Sequence, residues 1–337
     1  MRVILDAHGG DNAPLEAIKG AALAAKEYGH TIVLCGNEPE LRALAEAEQI
    51  SLDHIEFLHA DDVITMEDEP GSVLKAHKDC SMAVGLRAVA AGQGDAFVSA
   101  GSTGALLMGA TFLVKRIKGV SRPAIGSVLP SDKEPFLLLD MGANVECRPE
   151  MLLQFAHMGS LYMTHVFKHG EPASVGLLNV GTEDTKGGDT QKAAFALLKE
   201  SGLPFVGNVE ARQVPLGEVD VVVTDGFSGN VLLKTIEGTA MMMMHKLKGV
   251  FFKNIRSKLA ALLVKGGLSD LKKMMDTAEY GGAPILGVKC PVIKAHGNSN
   301  AVAFKNAIRV ATEFASADVI TKIEAALAAE KEGAPVE

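Results

Sequence analysis

The chain has 337 residues, of which 47% are hydrophobic and 22% are charged. This length and composition suit one large α/β domain or two ordinary ones, and they exclude a disordered chain, a collagen-like repeat and a small disulfide-built domain. Lys and Arg number 33 against 41 Asp and Glu, and the net charge of −8 argues against a nucleic-acid-binding protein. Four widely spaced cysteines indicate buried thiols of a reducing compartment rather than a metal site.

Short apolar runs alternate with stretches of helical periodicity. The predicted strands are residues 3–5, 31–34, 96–99, 124–129, 136–139, 174–178, 220–224 and 292–295. The predicted helices are residues 14–28, 38–49, 73–91, 105–115, 150–168 and 191–201. This alternation predicts an α/β fold, a three-layer α/β/α sandwich around a mostly parallel sheet. One catalytic unit is expected over residues 1–327, because no linker marks a boundary between two lobes, and residues 328–337 are expected to fray.

Five of the predicted strands end in a polar or glycine-rich turn that opens a helix. The turns hold Asp6, Gly9, Gly10 and Asp11; Ser99, Gly101, Ser102, Thr103 and Gly104; Asp140 and Asn144; Gly181 and Lys186; and Asp225, Gly226 and Asn230. Because the carboxyl ends of parallel strands share one edge of a sheet, we expect these turns to lie together. Glycine permits close backbone approach and helix N-termini favour anions, so the turns indicate a site for an anionic ligand.

Several familiar catalytic motifs are absent when they are tested literally. The sequences GSTG and GFSG are each one residue short of the GxSxG nucleophile elbow. The lysine of GTEDTKG precedes its last glycine, unlike that of a nucleotide-binding phosphate loop, and no GxGxxG follows the first strand. The acidic residues at 61–69 lack calcium-loop spacing and are typical of a solvated loop.

A further strand end lies late in the chain, where residues 292–295 lead into His296 and a helix that opens near Ser299 and Asn300. A histidine in this position can donate to a phosphate or polarise a carbonyl group. It can equally well hydrogen-bond the helix cap itself. The other polar turns favour the functional interpretation.

The turn sequences together resemble a known family. DAHGGDNAP, SAGSTGAL, LDMGANV, LLNVGTEDTKG, VVVTDGFSGNVLLKTIEG and KAHGNSNA are similar, in this order from Met1 to about Ala311, to motifs of the PlsX-type phosphate acyltransferases of bacterial phospholipid synthesis. Two positions depart from the family pattern. His8 stands where methionine is usual, and Asn298 stands where serine is more usual.

The resemblance implies a reaction and a fold. The family moves a long-chain acyl group from acyl carrier protein to inorganic phosphate, giving acyl phosphate for phospholipid synthesis. Its fold is similar to that of isopropylmalate dehydrogenases and phosphotransacetylases, it forms homodimers, and no metal or redox cofactor is expected. Because phosphate is itself the nucleophile, direct attack without a covalent enzyme intermediate is expected.

Candidate catalytic residues follow from that chemistry. We expect Lys186, Lys234 and His296 near phosphate, with Asp140 and Asp225 orienting them. Asn144 and Asn230 are expected to donate hydrogen bonds, and the backbone amides of the glycine-rich turns to stabilise the oxyanion. The alternatives are that each lysine forms an ordinary ion pair and that each aspartate caps a helix.

Residues 241–275 differ in composition from the rest of the chain. Their eight Lys and Arg against one acid give a local charge of +7. Phe251, Ile255 and Leu259 have helical spacing, Phe252 lies alongside, and Lys253 and Arg256 project elsewhere, so a protruding helical hairpin is predicted at 238–276. Basic and apolar residues together indicate contact with an anionic surface, and we expect both partners, the membrane as a peripheral contact and acidic acyl carrier protein. A core or dimer-packing helix is the other interpretation.

The expected location is the cytoplasm, at the inner face of the membrane, since no leader sequence and no apolar run of about 18 residues is evident. Three other functions remain open. The first is a short-chain phosphotransacetylase that uses acyl-CoA. The second is a metal- and NAD-dependent decarboxylating dehydrogenase, whose metal-binding carboxylates and arginine clamp we do not find. The third is a non-catalytic lipid-associated scaffold, which would not require so many polar strand ends.

Overall fold

The computed structural model describes residues 1–274 and 280–332. Its strands are β1 (Arg2–Asp6), β2 (Thr31–Gly36), β3 (Ile55–His59), β4 (Ala96–Ser99), β5 (Ala124–Leu129), β6 (Phe136–Leu139), β7 (Val175–Asn179), β8 (Phe205–Glu210), β9 (Val221–Val223), β10 (Ala283–Leu286) and β11 (Val292–Lys294). They form one sheet in the order β3-β2-β1-β4-β11-β10-β5-β6-β9-β7-β8.

The helices are α1 (Leu15–Tyr28), α2 (Glu38–Ala47), α3 (Ser81–Ala90), α4 (Thr103–Gly109), α5 (Pro149–Tyr162), α6 (Asp189–Glu200), α7 (Gly226–Phe251), α8 (Ile255–Leu263), α9 (Lys265–Met274), α10 (Ala301–Ser316) and α11 (Val319–Glu332). Single π-helical turns extend α4 through Ala110–Lys115 and α5 through Met163–Phe167. The helix predicted at 73–91 is shorter, because a 3-10 turn at Pro70–Leu74 precedes α3. Helix α11 takes in residues 328–332 of the expected frayed tail, and 333–337 lie outside the described residues.

The strands of the sheet do not all point the same way. β3, β2, β1, β4 and β11 are mutually parallel, and so are β6, β9, β7 and β8. Between them, β10 is antiparallel to both β11 and β5, and β5 is antiparallel to β6. These three reversals leave the two halves running in opposite directions. We call the edge where β1, β4 and β11 end the first edge, and the edge where β6, β7 and β9 end the second edge.

Helices cover both faces of the sheet, as predicted. On one face, α1, α10, α5, α6 and α11 contribute to a continuous apolar cluster. On the other face, α3 and α4 pack over the first half and α7 packs over the second half. Successive side chains of each strand point to opposite faces of the sheet, so Val3 of β1 belongs to one cluster and Ile4 to the other. The mostly parallel three-layer α/β/α sandwich is therefore confirmed.

Helix α7 crosses the sheet and continues past it. It begins at the second edge, where Asp225 caps it, and Leu232 and Leu233 share a cluster with Leu129 and Phe136 at the first edge. A 26-residue helix is about 39 Å long, whereas a strand of six residues spans about 20 Å. The last turns of α7 therefore extend beyond the first edge.

We call residues 238–274, which comprise the end of α7 with α8 and α9, the arm. The expected hairpin at 238–276 falls on these helices, and residues 275 and 276 lie outside the described residues. Gly249 and Gly266, both within the predicted hairpin, lie inside α7 and α9. Glycine costs an exposed helix only about 1 kcal/mol relative to alanine, so it does not have to end one. Among the described residues, no helix has the length and apolarity needed to cross a membrane.

Candidate active site

The first edge has a topological switch point between β1 and β4, and we call the space bounded by the turns that follow these strands and β11 the crevice. After β1 the chain builds β2 and β3 on one side, and it then returns to place β4 on the other side of β1. The connections that follow β1 and β4 therefore diverge, and such switch points are where open α/β sheets bind ligands. The turn after β11 closes the crevice, since the Asp11 N–H donates to the Gly297 carbonyl oxygen at 2.7 Å.

Asp6 organises the floor of this crevice. Its carboxylate is buried and accepts hydrogen bonds from the hydroxyls of Ser81 and Ser99, each at 2.6 Å. Ser99 Oγ in turn accepts from the Gly101 N–H at 3.0 Å. One buried carboxylate thus fixes the ends of β1 and β4 and the start of α3. Asp6 is held as a structural acceptor beneath the site.

Two glycines let the turns approach closely. A Cβ on Gly9 would lie 2.6 Å from Asp6 Oδ2 and 2.7 Å from the Gly101 nitrogen. Gly10 has a φ of +107° and packs against Ala100 and the Gly297 oxygen. A side chain at Gly9 would separate the two turns, so glycine there is a geometric requirement.

Sequence reasoning missed Lys294, a cation at the end of the apolar strand β11. Its side chain is buried, and Nζ donates to the carbonyl oxygens of Ala100, at 3.1 Å, and Ala295. Burial lowers the pKa of this ammonium to about 8, against the opposing influence of Asp6 and Asp11. A buried, shifted lysine in a crevice between strand ends is a functional candidate. The contrast between a lysine and its apolar neighbours Val292 and Ile293 was the available signal.

The exposed rim of the crevice includes His296. The Asn298 N–H lies 3.5 Å from its Nδ1, and Ser299 Oγ donates to its carbonyl oxygen at 2.6 Å. Asn300 caps α10 by accepting from the Ala303 N–H. Ser299 and Asn300 therefore shape the turn, and His296 presents its ring to solvent.

The turn after β4 forms the opposite rim. Ser102 caps α4 by accepting from the Ala105 N–H, and Thr103 is exposed. A Cβ on Gly104 would lie 2.7 Å from Pro70 Cγ, so the loop before α3 packs directly over this turn. The rim is thus built from three separate chain segments.

His8 faces away from this crevice. Its Nε2 accepts from the Asn37 N–H at 3.2 Å and lies 4.0 Å from Glu40 Oε2. The ring therefore packs at the start of α2, against Gly36. The histidine that stands where the family pattern has methionine therefore accepts a hydrogen bond at the N-terminus of α2.

The second edge holds the turn after β6. Asp140 is fully buried, and its two oxygens accept from the backbone N–H groups of Ile125, Ala143 and Asn144. The side chain of Asn144 donates to Asp140 Oδ2 at 2.9 Å and to the Pro123 oxygen at 2.8 Å. Burial raises the pKa of Asp140, although the hydrogen bonds oppose it. Asp140 therefore fixes this turn.

The start of α7 packs on the same turn. Asp225 accepts from the N–H and hydroxyl of Ser228, and the Gly226 N–H donates to the Asn144 oxygen at 2.7 Å. A Cβ on Gly229 would lie 1.9 Å from the Asp140 oxygen, which explains the glycine. The aspartates at 140 and 225 bond to turns, and none of their described hydrogen bonds reaches the lysines that they were expected to orient.

The remaining predicted residues are more exposed. Lys186 lies 3.8 Å from Glu183 in the loop after β7, against Gly181, and Lys234 pairs with Glu237 at 2.8 Å on α7. Asn230 lies on the exposed side of α7. A cavity of about 520 Å³ adjoins Asp225, Ser228 and the start of α6. A larger cavity of about 1030 Å³, between α1 and residues 50–54, contains none of the predicted site residues.

The expectation that all the polar turns share one edge is wrong, because the central antiparallel strands reverse the sheet. The structure gathers one group at the first edge: Asp6, Gly9, Gly10, Asp11, Ser99, Gly101, Ser102, Thr103, Gly104, His296, Ser299 and Asn300. A second group lies at or near the second edge: Asp140, Asn144, Gly181, Lys186, Asp225, Gly226 and Asn230. Strand β5 runs from one edge to the other between α4 and α7, with Ser127 half-buried on that face.

Comparison with known proteins gives matches over nearly the whole length of the chain. A family model described as fatty acid synthesis protein matches residues 1–322. A phosphate acyltransferase of Geobacillus thermodenitrificans is 49% identical over 329 residues, covering 97% of this chain and 99% of that relative. A phosphate acyltransferase of Acetivibrio thermocellus is 46% identical over 324 residues, covering 96% of this chain and 95% of that relative.

Solved structures are similar in fold. The EutD phosphotransacetylase from Staphylococcus aureus has a TM-score of 0.62 at 16% identity, covering 94% of each chain. A phosphotransacetylase from Streptococcus pyogenes has a TM-score of 0.63 at 14% identity, covering 95% of this chain and 94% of that one. At such low identity the similarity concerns the fold, and it confirms the phosphotransacetylase-like sandwich.

The family model and the relatives agree with the resemblance carried by the turn motifs. The matches extend over nearly the full length of the chain and its relatives, so they include both halves of the sheet and the arm. We conclude that this chain is an enzyme of the fatty acid synthesis protein family and belongs with the phosphate acyltransferases that it matches.

Proposed function

We propose that this chain transfers a long-chain acyl group from acyl carrier protein to inorganic phosphate, and that the reaction takes place at the first edge. The observation that carries the proposal is the switch point between β1 and β4, where the turns after β1, β4 and β11 meet. There a buried cation, Lys294, lies beneath glycine-rich turns and beside the exposed His296. Family membership supports the reaction, and the crevice supports its location.

The reaction balances without a cofactor. An oxygen of the phosphate dianion attacks the thioester carbonyl carbon, and a tetrahedral oxyanion forms. The C–S bond then breaks, and the proton that phosphate carried goes to the departing sulfur, giving acyl phosphate and the carrier thiol. The chain has to hold the dianion, stabilise the oxyanion and pass that proton.

Residues of the crevice match these tasks. The Lys294 ammonium supplies fixed positive charge from below, and among described residues it donates two hydrogen bonds, whereas an ammonium has three N–H groups. Backbone amides of the turns after β1 and β4, other than the Gly101 N–H that is bound to Ser99 Oγ, are suited to the oxyanion. His296 is the exposed group suited to proton transfer. The roles expected for Lys186, Lys234 and Asn230 on the second half stay predictions, whereas the Asn144 side chain donates to Asp140 and to the Pro123 oxygen.

The arm supports an interfacial role. Phe252, Ile255 and Leu259 are 60%, 77% and 60% exposed, and α8 has no buried residue. Phe251 is half-buried, while Lys253 and Arg256 are exposed beside these side chains. We propose that the arm rests on an anionic membrane surface, which brings the first edge to the bilayer that receives the product. The resemblance also implies a homodimer, which stays a prediction. Light scattering would measure the molar mass in solution and test it.

The direct test incubates the purified protein with palmitoyl-acyl carrier protein and radiolabelled phosphate. A labelled, hydroxylamine-sensitive product that extracts into organic solvent is expected. If the protein instead turns over acetyl-CoA and gives no such product, it is a short-chain phosphotransacetylase. If the folded protein turns over neither palmitoyl-acyl carrier protein nor acetyl-CoA but binds vesicles, the lipid-associated scaffold is favoured.

A further inference from the structure

A cluster of cations lies at the second edge, on the side of the molecule opposite the arm. We call it the basic patch; it consists of Lys115, Arg116, Lys118, Arg122 and Lys289. All five are exposed, and in the part of the chain that the structure describes no carboxylate lies within 4.0 Å of their charged groups. The protein as a whole carries −8. Five neighbouring exposed cations with no carboxylate partner among the described residues are unusual in an acidic chain.

The patch is formed by two segments that contain no acid. Residues 96–131 and 280–312 include no Asp or Glu, and they meet at the start of β5 and the end of β10. The Lys289 N–H donates to the Lys115 oxygen, and the Ile117 N–H donates to the Gly287 oxygen, each at 3.0 Å. Neither of the two segments that form the patch therefore supplies a carboxylate to it.

Hydrogen bonds hold the patch in a fixed shape. Gln154 of α5 accepts from the Ser121 N–H at 2.9 Å and donates to the Gly119 oxygen at 3.0 Å. Arg116 donates to the carbonyl oxygens of Val120 and Ser121. A loop anchored at both ends and in its middle presents its lysines without a large loss of backbone entropy on binding, which favours a protein partner.

The position of the patch distinguishes it from the arm. The patch flanks the start of β5 at the second edge, and the arm extends beyond the first edge. The six residues of β5 separate the two edges by about 20 Å. If the arm lies on a bilayer, the patch faces water, where a soluble partner can reach it.

We infer that the basic patch docks the acidic surface of the acyl carrier protein, so that the carrier approaches from the second edge while the arm contacts lipid. This inference rests on the proposed function, and it assigns to the patch the carrier contact that the sequence had placed on the arm.

The test compares two variants with equal changes of charge. The patch variant carries Lys115→Glu, Lys118→Glu and Arg122→Glu, and it leaves Arg116 in place because that side chain bonds to its own loop. The control variant carries Lys26→Glu, Lys192→Glu and Arg212→Glu, three exposed cations on other elements. Circular dichroism and thermal melting verify that both variants fold.

Binding of fluorescently labelled palmitoyl-acyl carrier protein is the primary readout. The patch variant is expected to raise Kd roughly 10-fold or more, and the control to change it less than threefold. The wild-type Kd should also weaken with added salt, and less so in the patch variant. A patch variant with an unchanged Kd, or wild-type protein that does not bind the carrier, overturns the inference.

Turnover measurements distinguish a failure of this inference from a failure of the proposed function. With palmitoyl-acyl carrier protein the patch variant is expected to raise KM with kcat within twofold, and with palmitoyl-pantetheine, which lacks the acidic protein, to behave as wild type. If wild-type protein binds the carrier through the patch yet forms no acyl phosphate, the proposed function fails and the docking surface stands. If acyl phosphate forms and the variant keeps the wild-type KM, the docking surface fails alone.

Discussion

At the scale of single residues, the crevice combines one buried acid with one buried base. Asp6 has hydroxyl donors for both of its oxygens, whereas Lys294 donates to neutral carbonyl groups. Carbonyl oxygens compensate an ammonium only partly for its lost hydration, which is why its pKa falls to about 8. The charge at Lys294 is therefore held at a cost in stability, as functional groups often are.

This cost predicts a specific dependence of stability on pH. The pKa of Lys294 is about 8 in the folded chain, below its ordinary value of 10.5, so between these values the unfolded chain binds more protons. The free energy of unfolding of the wild type, relative to a Lys294→Met variant, should therefore rise by about 2 kcal/mol from pH 7.5 to pH 10. Urea denaturation of both proteins measures it, and a difference that stays constant with pH would refute the buried charge.

The sequence pointed to most of the first-edge group and missed Lys294 for a physical reason. Glycines and helix-capping residues after a strand are visible as local patterns, because they serve the turn itself. The importance of Lys294 depends on its burial by neighbouring strands, of which its apolar neighbours in the sequence are only an indirect sign. The opposite holds for Asp140 and Asp225, whose positions at strand ends resemble a ligand site but whose oxygens bond to their own turns.

At the scale of elements, α7 has two different halves. Its first three turns pack on the sheet through Leu232 and Leu233, and its last turns expose Met241, Met242 and Met243, each more than half exposed. An exposed row of flexible apolar side chains in a folded protein marks an interaction surface. The arm continues that surface through α8.

Vesicle flotation measures the contribution of the arm. An Ile255→Glu, Leu259→Glu variant should lose most of its binding to anionic vesicles, because two apolar anchors become charged. A Val180→Glu, Val206→Glu variant is the matched control, since those valines are 80% and 56% exposed elsewhere on the surface. Equal flotation of the two variants would exclude the arm as the membrane contact.

At the scale of the whole molecule, the sequence predicted the layers and eight of the strands but not the direction of the sheet. β3 and β8 are edge strands with mixed polarity, and β10 contains Pro284 and follows Gly281 and Gly282, so their patterns were weak. The relative direction of the strands in the two halves depends on which strands pair at the centre of the sheet. Without β10, the pairing that separates the two groups of turns could not be deduced.

The reversal gives the molecule two chemically distinct ends. The first edge carries the crevice and the arm, and the second edge carries the basic patch, with β5 between them. An enzyme that takes an acyl group from a soluble acidic carrier and releases a lipid product benefits from this separation. The two anionic partners then do not compete for one surface.

The measurement that tests the central claim most directly is the turnover of a His296→Gln variant with palmitoyl-acyl carrier protein and phosphate. The matched control is His54→Gln, since His54 is also an exposed histidine and lies far from the crevice, before β3. We predict that His296→Gln lowers kcat about 100-fold, while His54→Gln keeps it within twofold. A folded His296→Gln protein with wild-type turnover would contradict an active site at the first edge.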